Sequence, residues 1–138
     1  MIAYLDTSVL LRKIFKEKHP LKNWGQWTEI CTSRITEIEA LRKLNNLRLS
    51  RTISDDDNLT CHIELRNALA QCDKIPLTEK ILLRASDPFY TSLGTLDALH
   101  LASALVYQEE YEIDLVFLTH DKQLGREAMA MGLEVNGV

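Results

Sequence analysis

The sequence predicts an α/β protein, a three-layer α/β/α sandwich with a parallel sheet of about five strands. Short apolar segments alternate with longer helical patterns, which is typical of successive strand–helix units. The apolar run at 2–5 stops at Asp6, after which Thr7 or Ser8 can cap a helix. The run at 115–119 is almost wholly apolar. Such runs are expected of strands that are buried on both faces, as in a parallel sheet.

The other strands are shorter apolar segments between turn residues. The segment at 29–33 precedes a helical pattern, and Gly132 separates the last strand from the helix before it. The predicted strands cover residues 2–5, 29–33, 75–77, 115–119 and 133–135.

The helices are predicted from apolar residues spaced three and four apart. Thr95 is expected to cap a helix that is apolar nearly all round and therefore buried. Leu21, Trp24 and Trp27 also recur at helical spacing, which favours a stripe facing the core over a groove for a partner. The predicted helices cover residues 8–16, 35–47, 55–69, 78–87, 96–107 and 122–131.

Size and composition are those of a globular protein. The 138 residues are enough for one domain with its own core, so residues 1–138 are predicted to form a single domain. No apolar run approaches the roughly 18 residues of a membrane span, and Asp6 comes too early for a signal peptide. A cytoplasmic location without membrane contact is expected. The three cysteines lack paired spacing and are expected to pack as small apolar side chains.

The formal net charge of −4 is unevenly distributed. Residues 1–51 carry ten Lys and Arg against five Asp and Glu, whereas residues 52–138 carry six against fifteen. A local basic patch could therefore bind a polyanion in spite of the acidic total, although a solvated surface is the simpler interpretation.

Four acidic residues occur where predicted strands end or the following helices begin. In a parallel sheet all these points lie at one edge, where open α/β sheets bind their ligands. The four carboxylates can therefore point into one crevice. They are Asp6 after the first strand, Glu39 in the helix after the second, Asp97 in the first turn of the buried helix, and Asp121 after the fourth strand.

Each acid also has a purely structural interpretation. Asp121 is a good helix cap, and Asp97 can complement a helix dipole. Glu39 can complete a capping box with Thr36 or pair with a lysine one turn later. Asp6 is the hardest to explain in this way, because a charge at the end of a buried strand is costly unless it is paired or bound to a metal.

The chemistry favours a joint role for the four acids. Carboxylates in one cleft repel each other unless a cation compensates their charge. Mg²⁺ prefers oxygen ligands and is often held by only one or two carboxylates. A metal held in this way can activate water to attack a phosphodiester. Ser8 and Thr119 could orient that water or a ligand carboxylate.

Four segments resemble the motifs of PIN-domain ribonucleases, especially the toxins of VapBC toxin–antitoxin pairs. They occur in the order of that family and span the whole chain, followed by a tail of the usual kind at 132–135. The four segments are 4–11 (YLDTSVLL), 38–42 (IEALR), 96–102 (LDALHLA) and 118–124 (LTHDKQL).

The resemblance implies a PIN-like fold, dependence on Mg²⁺ or Mn²⁺, and endonucleolytic cleavage of RNA. It implies Asp6 and Asp97 as direct metal ligands, with Glu39 and Asp121 binding directly or through water. It also implies a homodimer and a small antitoxin that blocks the cleft and binds DNA. The motif match prefers Glu39 to Glu37 as the second acid, whereas the phase of the helix does not distinguish them.

Contacts with RNA are expected from basic residues, since phosphate contacts dominate affinity for nucleic acids. His100 is interpreted as a packing residue with a satisfied ring rather than as a catalytic base. The candidate RNA-binding residues are Arg12, Lys13, Lys16, Arg34, Arg42 and Lys43.

Two other functions compete with a ribonuclease. One is a phosphatase with Asp6 as its nucleophile, but such enzymes usually carry a second aspartate two residues later, where this chain has Ser8. The other is a catalytically inactive PIN-like module that binds RNA or protein. Retention of all four acids argues against the second alternative.

Overall fold

Five parallel strands form one sheet, described by a computed structural model of residues 1–138. Because apolar residues fill the central strands, both faces of the sheet can be covered by helices. The strands are β1 (Ile2–Leu5), β2 (Glu29–Ser33), β3 (Asp73–Ile75), β4 (Leu115–Leu118) and β5 (Glu134–Asn136).

The strand order is β3-β2-β1-β4-β5. In the centre, Ala3 lies opposite Ile30 on one side and Val116 on the other. The chain moves outward from β1 to β3 and then crosses back to β4, so the direction of winding reverses between β1 and β4. This reversal leaves a crevice at the carboxyl ends of those two strands.

Six helices connect the strands and lie in two layers. The first three helices pack on one face of the sheet, in a core that includes Leu5, Val9 and Leu118. The last three pack on the other face, around Tyr4 and Phe117. The helices are α1 (Thr7–Ile14), α2 (Ile35–Leu49), α3 (Asp55–Ala70), α4 (Glu79–Ala85), α5 (Thr95–Tyr111) and α6 (Lys122–Ala130).

The predicted fold class is confirmed, as are the burial of α5 and the order of the elements. Two strand boundaries were predicted wrongly. The strand β3 ends before Pro76, which lacks the N–H needed to continue the ladder, and the last strand lies one residue later than predicted.

The predicted caps were partly wrong. Neither Thr7 nor Ser8 caps α1, whose N-cap is Asp6, and Gly94 rather than Thr95 precedes α5. The capping box of Thr36 and Glu39 does not form, because Thr36 bonds to the Thr32 hydroxyl. The first helix is also shorter than predicted and ends before Lys16, whose φ of 52° is left-handed.

The segment around the two tryptophans is not a helix. Gly25, with a φ of 84°, lies within a turn there, which interrupts the helical spacing. Leu21 is nevertheless buried, and Trp24 and Trp27 pack on the core beside α1. The core-facing interpretation is therefore correct although the helical one is wrong.

Two further sequence inferences concern cysteines and membrane spans. All three cysteines are free thiols, and Cys31 is buried as expected. Each helix is either too short or too polar to cross a bilayer.

Candidate active site

Asp6 lies at the crevice between β1 and β4, and only 4 % of its surface is exposed. It follows the last residue of β1, and its backbone N–H donates to the Leu118 carbonyl, 3.0 Å away, which continues the pairing with β4. The carboxylate Oδ2 accepts hydrogen bonds from Ser8 Oγ at 2.6 Å and Thr119 Oγ1 at 2.8 Å. Such bonds compensate part of the cost of burying the charge.

The two hydroxyl groups also connect Asp6 to the turn after β4. Thr119 Oγ1 accepts from the Asp121 backbone N–H at 3.0 Å, and Ser8 Oγ accepts from the His120 N–H at 3.1 Å. The structure thus places Ser8 and Thr119 against Asp6, in the orienting positions that the sequence analysis gave them.

A buried polar network lies behind Asp6 and is centred on His100, which is 1 % exposed. His100 Nδ1 is 2.7 Å from the Tyr4 hydroxyl, and Nε2 is 2.6 Å from Glu39 Oε1. Thr7 Oγ1 donates to the same Glu39 oxygen at 3.0 Å. Both ring nitrogens therefore have partners, as a packing residue requires.

The charge on this histidine follows from its neighbours. Burial lowers the pKa of His100, but its hydrogen bond to Glu39 and the charge of Asp6, whose Oδ1 lies 3.6 Å from Nε2, outweigh that effect. The net shift of the pKa is upward, which favours an imidazolium that donates from both nitrogens.

Burial distinguishes Glu39 from Glu37. The Glu39 side chain is 22 % exposed and points toward His100, whereas Glu37 is exposed on the same helix. The structure thus brings Glu39 toward Asp6 and leaves Glu37 on the surface.

Asp97 and Asp121 complete the group of acids. Burial and the charges of Asp121 and Asp6 raise the pKa of Asp97 to about 6. Glu39 adds to this effect and His100 opposes it. These four carboxylates, which we call the acidic cleft, therefore interact across nearly the full length of the sequence.

Asp121 has a structural role as well. Its Oδ1 accepts from the Leu124 N–H at 2.9 Å, which makes it the N-cap of α6. A carboxylate has further lone pairs, so capping with one oxygen leaves the other available to the acidic cleft.

The donor set of the acidic cleft suits a divalent cation. The structure contains no group of three or more His, Cys, Asp or Glu side chains preassembled for a metal ion. Mg²⁺, however, commonly takes one or two carboxylates and completes its shell with water. A cation would also relieve the repulsion that raises the pKa of Asp97. Oxygen ligands of this kind fit Mg²⁺ or Mn²⁺.

Sequence analysis missed two members of the polar network. It gave Thr7 only a capping role, although Thr7 lies inside the Asp-Thr-Ser motif, which is a signal that could have identified it. Tyr4 looked like an ordinary strand residue, and nothing in the sequence indicates its hydrogen bond to His100.

The basic candidates lie on or beside α1 and α2. Arg12 donates to the His19 carbonyl at 3.2 Å, and the Lys13 ammonium lies 3.9 Å from the centre of the Trp24 ring. Arg34 and Arg42 are exposed, and no ion pair engages either side chain.

The fold and the acidic cleft together define a doubly wound α/β protein with carboxylates at its switch point. The chain belongs to the PIN-domain family, whose model matches residues 3–128. It is 28% identical over 130 residues to the ribonuclease VapC47 of Mycobacterium tuberculosis, and the match covers 89% of this chain and 87% of that protein.

Solved structures of similar fold include a toxin–antitoxin complex from Klebsiella pneumoniae, with a TM-score of 0.61 at 17% identity, covering 89% of this chain and 88% of the other. VapBC2 of Rickettsia felis, bound to a DNA fragment from the promoter, has a TM-score of 0.69 at 17% identity, covering 99% of this chain and 98% of the other. FitAcB of Neisseria gonorrhoeae has a TM-score of 0.65 at 15% identity, with coverages of 99% and 96%. At such identities the likeness supports the fold.

Proposed function

We propose that this protein is a metal-dependent endoribonuclease and that residues 1–138 form its single nuclease domain. The observation that carries the proposal is that Asp97 is partly buried among other carboxylates: burial, together with the charges of Asp121, Asp6 and Glu39, raises its pKa to about 6. Membership of the PIN-domain family and the match to a ribonuclease support the choice of RNA.

Asp6 and Asp97 would bind Mg²⁺ or Mn²⁺ directly, with Glu39 and Asp121 bound directly or through water. The cation would lower the pKa of a water molecule and stabilise the charge that develops on the phosphodiester. Because Ser8 and Thr119 hold Oδ2 of Asp6, the carboxylate is fixed before the metal binds.

His100 supports this arrangement from behind. It holds Glu39 in the acidic cleft at 2.6 Å, and it places positive charge within 3.6 Å of Asp6. This charge opposes the repulsion among the acids and lowers the pKa of Asp97 against the effects that raise it.

The basic side chains Arg12, Lys13, Arg34 and Arg42 would contact the RNA backbone. Arg34 follows β2 directly, and Arg42 lies one helical turn beyond Glu39, so both are near the acidic cleft. Lys13 and Arg12 are partly occupied by contacts within the chain and would contribute less.

We further propose that the protein is the cytoplasmic toxin of a toxin–antitoxin pair and that it forms a homodimer. Its likeness to toxin–antitoxin complexes from Rickettsia felis and Klebsiella pneumoniae supports this partnership. The partner would be a small antitoxin that blocks the acidic cleft.

The direct test is cleavage of RNA by the purified protein. We expect cleavage only with Mg²⁺ or Mn²⁺, and a loss of at least about 100-fold in Asp6→Asn and Asp97→Asn, since even indirect partners of a metal cost 10–100-fold. Asp114→Asn, an exposed acid just before β4, is the matched control and should retain full activity.

Cleavage that persists in excess EDTA, or in both cleft variants, would refute the proposal. Calorimetric titration with Mn²⁺ separates an enzyme from a binding module, because a module without catalysis has no need to bind Mn²⁺ through Asp6 and Asp97.

A further inference from the structure

Glu127 is a buried carboxylate outside the acidic cleft, and only 1 % of its surface is exposed. It lies in α6 and takes part in no ion pair with a basic side chain. Instead it accepts three hydrogen bonds, from the Tyr90 N–H at 2.6 Å, the Thr91 N–H at 3.0 Å and the Thr91 hydroxyl at 2.7 Å. These three donors offset the cost of burying a polar group there, and all three belong to one loop.

The three bonds fix the loop between α4 and α5, residues 86–94, on the side of α6. A second side chain of α6 acts on the same loop, because Gln123 Nε2 donates to the Ser92 carbonyl at 3.0 Å. Phe89 and Leu93 also pack against the core. Apolar packing is non-directional, so the hydrogen bonds from α6 are what define the path of the loop.

The end of this loop is the start of α5. Gly94, the N-cap of α5, has no side chain to fix the first turn, and that turn carries Asp97. On the other side, Asp121 is the N-cap of α6, the helix that holds the loop. The loop that Glu127 and Gln123 bond thus leads into the turn that carries Asp97, while the helix that bonds it begins beside Asp121.

We infer that Glu127 is a positioning residue that fixes the loop on α6 and so places Asp97 opposite Asp121 in the acidic cleft. Its role in metal binding rests on the proposed function. Its role in fixing the first turn of α5 does not, and that part can be tested without metal.

The first experiment is amide hydrogen exchange on the metal-free protein. Glu127→Gln preserves the shape of the side chain but replaces one acceptor oxygen by an NH₂ group, which cannot accept from Tyr90 or Thr91. We expect faster exchange in the loop and at Ala98, whose N–H donates to the Gly94 carbonyl at 2.9 Å and closes the first turn of α5. Ser54→Ala, which removes the cap of the distant α3, should not accelerate exchange there.

The second experiment measures Mn²⁺ affinity and RNA cleavage in the same variants. Glu127→Gln should weaken Mn²⁺ binding and reduce kcat about tenfold, the range found for indirect partners of a metal, with little change in KM. Thr91→Val removes only the hydroxyl bond and should give a smaller effect in both measurements. It replaces Glu127→Gln as the test variant if Glu127→Gln does not fold. Ser54→Ala controls for reduced stability and should match the wild type in both measurements.

Unchanged exchange at Ala98 in the Glu127 variant would overturn the inference, as would faster exchange there with wild-type Mn²⁺ affinity and kcat. If the wild type itself bound no Mn²⁺ and cut no RNA, the proposed function would fail. The exchange data alone would then decide whether Glu127 fixes the start of α5.

Discussion

At the scale of single residues, the acidic cleft combines groups that stabilise charge with groups that oppose it. Asp6 is buried but held by two hydroxyl donors. Burial and the charges of Asp121 and Asp6 together raise the pKa of Asp97. The folded protein therefore stores unfavourable electrostatic energy at Asp97, which a bound cation would release.

Replacement of Asp97 should reveal this energy. The folded-state pKa of about 6 exceeds the ordinary value of 3.8, so ionised Asp97 destabilises the fold above pH 6. In metal-free buffer Asp97→Asn should therefore have a higher Tm than the wild type at pH 7.5. The difference should decline as the pH falls through 6 and vanish below 3.8, where the carboxyl is protonated in both states.

Thermal unfolding between about pH 3.5 and pH 8 measures this effect, because the range covers both pKa values. Added Mn²⁺ should raise the Tm of the wild type at pH 7.5 far more than that of the variant. A variant that is less stable than the wild type at pH 7.5 without metal would contradict the electrostatic account.

At the scale of elements, the end of β5 supports the turn that holds Asp6. Gly137 follows β5 with a φ of 105°, and a Cβ there would lie 2.5 Å from the Thr119 carbonyl oxygen. Its own carbonyl lies 2.7 Å from His120 Nδ1. The last strand therefore needs glycine at this point in order to pack on the 119–121 turn.

Two glycine substitutions separate backbone strain from steric conflict. Gly132→Ala strains a φ of 90° but meets no atom within 4 Å, so it should lower the free energy of unfolding by about 1 kcal/mol. Gly137→Ala should cost clearly more, because the Thr119 carbonyl must also move. Urea denaturation compares the two variants, and equal decreases would show that the contact with Thr119 is unimportant.

At the scale of the whole molecule, the strand order brings the acidic cleft and the first turns of two basic helices to the same edge of the sheet. The reversal of winding between β1 and β4 gathers the acids at one edge of the sheet. The helices α1 and α2, which belong to the basic N-terminal third of the chain, both begin at that edge. An acidic protein can thus present positive charge where a polyanion would approach.

Salt dependence tests this arrangement. With cleavage disabled by Asp97→Asn, the further double change Arg34→Ala and Arg42→Ala should weaken binding to single-stranded RNA. The logarithm of the association constant for RNA decreases linearly with the logarithm of the salt concentration. This slope should become less steep by about 0.7 for each phosphate that the protein no longer neutralises. Fluorescence anisotropy over a range of salt concentrations measures it.

Arg66→Ala is the matched control, since Arg66 is an exposed arginine near the end of α3, toward the edge where the strands begin. It should leave the slope unchanged. An unchanged slope in the double variant would contradict an RNA-binding role for Arg34 and Arg42.

The sequence alone predicted the order of the elements and the class of fold, and it gave the four acids as candidates. Alternating apolar and helical patterns are local, so they can be recognised along the chain without knowledge of its fold. The same locality explains the errors, since the spacing of Leu21, Trp24 and Trp27 imitates a helix that the turn at Gly25 prevents.

Only the tertiary structure decided which groups hold those acids in place. His100 meets Glu39 across 61 positions, and Thr119 meets Asp6 across 113. Glu127 resembles any helical surface glutamate in the sequence, yet the fold buries it beneath a loop 36 residues away. A hydrogen bond requires two particular atoms within about 3 Å of each other. That distance is set by the packing of the layers, which no local pattern encodes.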